Sequence, residues 1–329
     1  MTRFTKARRG SALLIVLWLS AALAAIAFSV ATGVRSEIEH VSTSEEDVRA
    51  YYLAAGSIDR AILHMQWSQS GSAADGSNPY FRPGQPRMFL PFPEGEVVVE
   101  VIPEASKINI NNAHVDLLAQ LLLQLGAAPE QAQSIAAGIA DWRGVSPNAG
   151  PSAFDQYYSS LQPSFRARHA SIEDVEELLS IPGMTANLFY GTWVRAGQGT
   201  SSQLVPRSGF RDCVSPFGGL DRFDVNSVEP AVLAAVGVPG ELIQAVVARR
   251  NTQPILRTEE LAAWTQASPE LASHLTIASH NIYTFRATAR LRHPDGTFSD
   301  LKRSVSALVR FLRPGKQKTF QILRWYDRG

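Results

Sequence analysis

The chain has 329 residues, of which 45% are hydrophobic and 19% charged, and its formal net charge is +1. This length allows one large or two medium folded domains, and the balanced charge excludes a general electrostatic attraction to nucleic acid or acidic polymers. The single cysteine, Cys213, excludes an intrachain disulfide, so we expect Cys213→Ser to leave the melting temperature nearly unchanged.

The N-terminal segment joins a basic start to a long uncharged stretch. Residues 1–10, MTRFTKARRG, contain four cations and no acid, and residues 11–34 contain no charge. About 20 apolar residues cross a bilayer as one helix. Because the cations precede this stretch and Arg35, Glu37 and Glu39 follow it, we predict a single-pass anchor with a cytoplasmic N-terminus and an exported remainder.

Three kinds of N-terminal segment share these features. A secretory signal peptide fits poorly, because its apolar core covers only about 7–15 residues before a cleavage site. A plain signal anchor fits the hydropathy. A prepilin-type leader, cut on the cytoplasmic side directly after a glycine, fits the order Arg9-Gly10-Ser11. This segment alone leaves the signal anchor and the prepilin leader open.

A helical pattern continues beyond residue 34. Apolar residues recur at alternating steps of three and four, as on one face of an amphipathic helix; they are Val41, Val48, Tyr51, Ala55, Ile58, Ile62 and Met65. We predict one continuous helix whose outer half packs on a globular head and ends in the Gly-, Ser- and Pro-rich stretch Ser68 to Pro86. A coiled-coil stalk is the alternative that this pattern allows.

Two regions near opposite ends of the exported part have strand patterns. Arg87–Pro103 has alternating and β-branched residues around a Pro-Glu-Gly turn, which predicts a hairpin. Ile282–Leu291 and Phe298–Leu312 flank Pro294-Asp295-Gly296, a second strand–turn–strand signal. A helix first and strands last indicate an α+β head.

The region between these strands, residues 108–277, is predicted to be a helical insert. The predicted helices are Asn112–Leu125, Pro129–Trp142, Ser171–Leu179 and Thr185–Trp193, with Ser171 and Asp174 as a capping start. The predicted loops are Gly144–Pro151 and Gly197–Gly219.

The insert contains an internal repeat. Lys107–Asn112 aligns with Arg222–Ser227. Each copy is predicted to be a short strand, an Asn or Ser helix cap and an apolar helix that ends in arginine, at Arg143 in one copy and at Arg249-Arg250 in the other. Two copies are few for a solenoid, so we predict two related subdomains packed within one insert.

Several segments, in this order and spacing, resemble one known family along nearly the full length of the chain. They are the leader RRG–SALLIVLWL, Ala50–Ala54, Lys107–Asn111, Ala140–Arg143, Tyr157-Tyr158, Ile172–Leu179, Pro182–Thr185 and Phe223–Ser227. The family is the general secretion pathway protein K family of type II secretion systems.

The resemblance implies an α+β, pilin-like fold. A long N-terminal transmembrane and amphipathic helix packs on an antiparallel sheet, and the head carries a large all-α insert. The implied parts are residues 1–10 as prepilin leader, 11–34 as transmembrane helix, 35–107 as the first part of the head, 108–277 as the insert, and 278–329 as the C-terminal strands of the head.

The resemblance also implies a minor pseudopilin at the tip of the type II secretion pseudopilus. The subunit would be anchored in the bacterial inner membrane with its bulk in the periplasm, initiating or capping assembly and supporting export across the outer membrane. Its partners would be the type I and type J minor pseudopilins, other pseudopilins and a prepilin peptidase. Cleavage would fall between Gly10 and Ser11, with N-methylation of Ser11.

Two positions bear on this resemblance. Most pilin-like subunits carry Glu at the fifth mature position, where this chain has Ile15. A carboxylate costs about 2–3.5 kcal/mol at mid-bilayer, so a subunit with no partner above it gains by omitting one. Family members also place several calcium-binding acids between the Asp-Trp-Arg run and the paired tyrosines, but here Asp141 and then Gly144–Pro147 are followed only by Asp155 ahead of Tyr157. Calcium needs 6–8 oxygen ligands, so we predict no metal site and no cofactor.

No catalytic motif supports an enzyme. We expect His169 to lie in a solvated patch with Arg166 and Arg168, and Asp141 to form a helix-end ion pair. The alternative function is a membrane-anchored helix-hairpin-helix DNA-uptake receptor, with turns at Leu179–Thr185 and Val236–Gly240. Because the first turn lacks the second glycine and a following cation, we predict no nucleic-acid partner.

Overall fold

The computed structural model describes residues 9–70, 86–144, 150–196, 203–219, 221–266, 268–277, 281–312 and 319–327. In chain order the elements are α1 (Arg9–Ser70), β1 (Arg87–Phe92), β2 (Gly95–Pro103), β3 (Ile108–Asn109), α2 (Val115–Gln124), α3 (Pro129–Arg143), α4 (Ala153–Ser160), α5 (Ala186–Tyr190), β4 (Thr192–Ala196), β5 (Gln203–Arg207), α6 (Phe210–Cys213), β6 (Val214–Ser215), β7 (Phe223–Asp224), α7 (Pro230–Ala235), α8 (Gly240–Thr252), α9 (Thr258–Thr265), α10 (Pro269–His274), β8 (Leu275–Thr276), β9 (Ile282–Arg292), β10 (Phe298–Phe311) and β11 (Phe320–Tyr326). Short 3-10 helices cover Glu104–Ser106 and Val175–Ser180.

The apolar and amphipathic segments form one continuous helix, α1, as predicted. Its last third packs on the sheet through side chains spaced three and four apart, which form one helix face; they include Ala50, Ala54, Ile58, Ala61, Ile62 and Met65. The prediction that Val41 and Val48 belong to this packed face is wrong, because they are 59% and 50% exposed. Polar contacts with β10 begin at Glu46 and Asp47, but apolar side chains of the helix are buried against the sheet only from Ala50 onward.

Five antiparallel strands form the sheet, in the order β1-β2-β9-β10-β11. Both predicted hairpins are confirmed. Along β2 every second residue is buried, so one face of the strand packs towards α1 and the other does not. The strand β11 was not among the predicted hairpin strands. Its sequence, FQILRWY, does not alternate apolar and polar residues and so does not signal a half-buried strand. Its side chains are exposed or half-buried in the fold.

The chain between β2 and β9, here called the insert, leaves and rejoins the sheet at the same end. Glu46 lies 3.1 Å from Ser299, at the start of β10, and Gln66 lies 2.7 Å from Thr319. The Thr319 carbonyl accepts a hydrogen bond from Leu312, directly after β10, so α1 and β10 run in the same direction. The end of β2 pairs with the start of β9, which in turn pairs with the far end of β10. Both junctions of the insert therefore lie at the sheet end farthest from the apolar half of α1.

The insert has its own hydrophobic cluster, separate from the cluster between α1 and the sheet. Its described residues are mainly helical, but they also form three short strand pairs: β3 with β6 and β7 with β8 are parallel, and β4 with β5 is antiparallel. The expectation of an all-α insert is thus wrong in this respect. The short strands predicted at the start of the two repeat copies are β3 and β7, whereas their parallel partners β6 and β8 lie far away in sequence and were not predicted.

Several predicted bounds within the insert are also corrected. The helix predicted at Ser171–Leu179 is a 3-10 helix that begins after Asp174, whose carboxylate accepts a hydrogen bond from the Glu176 amide. The helix predicted at Thr185–Trp193 ends at Tyr190, because Gly191 adopts φ 88°, outside the helical region. The following residues instead pair as β4 with β5. The predicted loop Gly197–Gly219 thus contains β5, α6 and β6.

Candidate functional site

The first half of α1 presents apolar side chains on all sides. Every large apolar side chain from Leu13 to Val34 is more than half exposed, and this part of α1 is long and apolar enough to cross a membrane. A continuous exposed apolar surface of this size is unfavourable in water, whereas lipid or neighbouring apolar helices would cover it. This half of α1 is therefore a candidate membrane and assembly surface.

The predicted processing residues lie at the start of α1. Gly10 and Ser11 are in its first turn, while residues 1–8 of the predicted leader lie outside the described residues. Ile15 is 62% exposed one turn further on. Cleavage and methylation at Gly10 and Ser11 remain predictions.

A second exposed stretch of α1 lies between the apolar half and the head. Ile38, Val41, Val48 and Tyr52 are each at least 50% exposed. They are spaced by three, four or seven residues and so lie along one side of the helix. This side is a candidate contact surface for the helix of a neighbouring subunit.

The insert is attached to the head by polar contacts. Glu104 is almost fully buried, and its carboxylate accepts hydrogen bonds from the Lys107 ammonium at 3.0 Å and the Thr284 hydroxyl at 2.6 Å. Arg286 on β9 lies 3.6 Å from Asp212 of α6. Thr284 and Arg286 both belong to β9, so these contacts join the insert to the sheet.

The internal repeat corresponds to a repeated hydrogen-bonding unit. In the first copy the Asn111 amide accepts from the Ile172 N–H at 2.8 Å and donates to its carbonyl at 2.9 Å. In the second copy Asn226, the aligned residue, binds the N–H and carbonyl of Ile255 at 2.9 and 2.8 Å. We call these two paired contacts the asparagine clamps.

The arginines at the helix ends are part of the same unit. Arg143 on α3 donates to the carbonyls of Ile110 and Ala113. Arg250 on α8 donates to the carbonyl of Val228, the residue that aligns with Ala113. Burial lowers the pKa of both guanidinium groups. Arg143 thus links the end of α3 to the segment before α2, and Arg250 links the end of α8 to the segment before α7.

The prediction that Asp141 forms a helix-end ion pair is not supported by its described contacts. Its carboxylate accepts a hydrogen bond from the Ser152 hydroxyl at 3.1 Å, while the neighbouring Arg143 binds backbone carbonyls. Ser152 also begins α4 by a capping box with Asp155. The sequence signal for this helix, serine followed three residues later by an acid, was available and was missed.

The prediction of a solvated patch around His169 is wrong as well. Its side chain is 21% exposed, and ring atom Nε2 lies 2.9 Å from the Asp155 carboxylate. Ring atom Nδ1 lies 3.0 Å from the carbonyl oxygen of Asp141 and 3.2 Å from that of Gly144, at the end of α3. The hydrogen bond with Asp155 raises the pKa of His169 above its ordinary value. We call this set of contacts the α3–α4 joint.

The residues of the α3–α4 joint do not fit a calcium ion. Calcium takes 6–8 oxygens, but the described acids there are Asp141 and Asp155, and both already accept hydrogen bonds. Tyr158 has a buried hydroxyl with no hydrogen-bond partner among the described residues, but burial raises its pKa and keeps it neutral. Among the described residues no group of three or more His, Cys, Asp or Glu could hold a metal ion.

Cys213 is fully buried at the end of α6. Burial raises the pKa of its thiol well above the ordinary value, so the thiol is neutral. A serine here would place a hydroxyl in an apolar core. The expectation that Cys213→Ser leaves stability unchanged is therefore revised.

The two turns that suggested DNA binding differ in their surroundings. In the first, Gly183 adopts φ 89° and its carbonyl accepts a hydrogen bond from Gln131 of α3. In the second, Gly237 adopts φ 91° and ends α7 ahead of α8. A third helix–turn–helix joins α2 to α3 through Gly126, with φ 88°. The turns α2–α3 and α7–α8 belong to the two copies of the repeat.

A long helix with an exposed apolar half, packed by its other end on an antiparallel sheet, is the architecture of a pilin-like α+β fold. Residues 99–190 match the family model described as type II secretion system (T2SS), protein K. This match confirms the resemblance to type II secretion protein K.

A solved structure supports the fold over most of the chain. The chain resembles a chain of the GspK–GspI–GspJ complex of the type 2 secretion system from enterotoxigenic Escherichia coli, with a TM-score of 0.54 and 16% identity. The likeness covers 87% of this chain and 98% of that chain, and it confirms the pilin-like α+β fold. No curated protein sequence matches this chain.

Proposed function

We propose that this chain is the minor pseudopilin that caps the tip of a type II secretion pseudopilus and supports protein export. This proposal rests on the position of the insert. Both insert junctions lie at the sheet end farthest from the apolar half of α1. In a filament whose subunits stack along their N-terminal helices, the next head would need that space, so a bulky insert there stops further addition.

The N-terminal segment supports the same role. Ile15 supplies no carboxylate for the N-terminal amine of a subunit arriving above it. A subunit that makes a heterologous contact on just one of its sides terminates an assembly that would otherwise continue to grow. We propose that Gly10 is the last residue of the leader, that the N-terminus faces the cytoplasm, and that the head lies in the periplasm.

The proposed partners are the type I and type J minor pseudopilins. The related complex contains GspK, GspI and GspJ together, and this chain has an exposed helix side, Ile38 to Tyr52, available for other helices. The proposed role is structural, as the protein K family is a component of a secretion apparatus and not a known class of enzyme.

The test locates the chain on assembled pseudopili. Filaments formed with the full-length chain are labelled with a gold-conjugated antibody against it and viewed by electron microscopy. We expect one label at one end, whereas an antibody against the major subunit, as the matched control, decorates the whole shaft. Labels of this chain at regular intervals along the shaft would refute capping. Mass measurement of the detergent-solubilised complex should give one copy each of this chain and the two partners.

A further inference from the structure

The α3–α4 joint brings oxygen atoms from separate segments around one ring. Two of these atoms are the carbonyl oxygens of Asp141 and Gly144, and two belong to the Asp155 carboxylate. Carbonyl oxygens accept hydrogen bonds and cannot donate them, and an ionised carboxylate likewise only accepts. Each nitrogen of His169 therefore faces acceptors alone, so each nitrogen must carry a hydrogen. A ring with two N–H groups is an imidazolium cation.

The surrounding helix ends favour a positive charge at this position. The Asp141 and Gly144 carbonyls belong to the C-terminal end of α3, the negative end of its dipole. Asp155 caps the N-terminus of α4 with its carboxylate, and the hydrogen bond from the Ser152 amide lowers the pKa of this acid and keeps it ionised. The ring thus lies between a helix C-terminus and the acid that caps the next helix.

The other described charged groups near the His169 ring bind partners other than the ring. Arg168, next in sequence, binds the carboxylates of Glu173 and Glu177. Arg143 of α3 binds carbonyls, and the Asp141 carboxylate accepts from Ser152. The described residues thus provide one cation for these oxygens, which is the side chain of His169.

We infer that the α3–α4 joint is held by the imidazolium of His169 in place of a metal ion, so this subunit folds and remains stable without calcium. The protonated ring performs the structural task of a bound cation, because it neutralises Asp155 and satisfies the carbonyls at the end of α3. This inference concerns the internal stability of the insert and is independent of the proposed position at the filament tip.

The sign of the pH dependence follows from the geometry. The pKa of His169 is raised in the folded chain, so its contribution to stability is fully present below the unfolded value of about 6.5. That contribution is lost as the pH rises through the higher folded value. The pKa of Asp155 is lowered, so its contribution is lost only as the pH falls through its folded value, below about 3.8.

The first test measures thermal unfolding of the full-length chain in detergent, with EDTA and with calcium chloride at millimolar concentration. We expect melting temperatures that agree within about 1 °C. A ligand that binds the folded state a hundredfold above its dissociation constant raises the melting temperature by several degrees. A rise of about 5 °C or more with calcium would overturn the inference.

The second test observes the ring directly by nitrogen-15 NMR of the histidine-labelled full-length chain, titrated from pH 6 to pH 8.5. One histidine should keep both ring nitrogens protonated to a higher pH than the other histidines. Its signal should be absent in His169→Asn, which assigns it; asparagine is chosen because it tolerates the φ of 46° at this position. A neutral His169 at pH 6 would overturn the inference.

A matched variant shows whether the pH dependence of stability comes from His169 or from loss of any histidine. His293 lies in the β9–β10 turn, where its recorded hydrogen bonds are made by the backbone, so His293→Asn is the control. Between pH 6 and pH 8.5 the native chain and His293→Asn should lose stability equally, and His169→Asn should lose less. Equal pH profiles for all three chains would contradict the assigned role of His169.

Discussion

The asparagine clamp of the second repeat copy gives the sharpest stability prediction. Asn226 is 9% exposed, and its amide makes two hydrogen bonds to the backbone of Ile255, a fully buried residue. Asn226→Ala removes both bonds and leaves a buried N–H and a buried carbonyl without partners. Each such group costs about 1–3 kcal/mol. Because water can enter part of the vacated space, we expect a total loss of about 3 kcal/mol in the free energy of unfolding.

The assay is urea unfolding of the full-length chain in mild detergent, followed by tryptophan fluorescence. The control is Asn251→Ala on the exposed side of α8, which should change stability by less than about 0.5 kcal/mol. Asn111→Ala should also destabilise, and the two clamp variants should add, because they act in different copies of the repeat. If Asn226→Ala lost no more than Asn251→Ala, the clamp would not hold the second copy together.

Two further predictions concern processing and the buried thiol. Gly10→Leu should leave the leader attached when the chain is expressed with a prepilin peptidase, because the predicted cut falls directly after this glycine. Intact-mass analysis would show this, and unchanged cleavage would refute the prepilin interpretation. Cys213→Ser should lower the free energy of unfolding by about 1–3 kcal/mol, because it buries a hydroxyl. The control Cys213→Ala should lower it less. Equal melting temperatures for the native chain and Cys213→Ser would contradict the burial argument.

Most of the correctly predicted elements were predicted from patterns of consecutive or nearby residues. The uncharged stretch 11–34 and the three-four spacing around Ile58 are properties of consecutive residues, and they predicted α1 as one helix. The Asp295-Gly296 turn similarly placed β9 and β10. The alignment of Lys107–Asn112 with Arg222–Ser227 predicted a repeat, and the asparagine clamps show what the repeated residues do.

The wrong predictions concern residues whose partners are distant in sequence. His169 was assigned to a cationic surface patch from its neighbours Arg166 and Arg168, but its ring contacts Asp155 and the end of α3. The extent of the packed face of α1 was also misjudged, because the helix period continues through Val41 and Val48, beyond the end of the sheet.

The long apolar helix, the strand–turn–strand segments and the two repeat copies could be predicted from residue patterns, because each pattern is formed by residues close together in the chain. The position of the insert and the contents of the α3–α4 joint could not, because they depend on contacts between distant residues. Both junctions of the insert meet at one end of the sheet because β2 and β9 are paired neighbours, although the whole insert separates them in the chain. The charge of His169 likewise depends on acceptors that only folding brings to both sides of its ring.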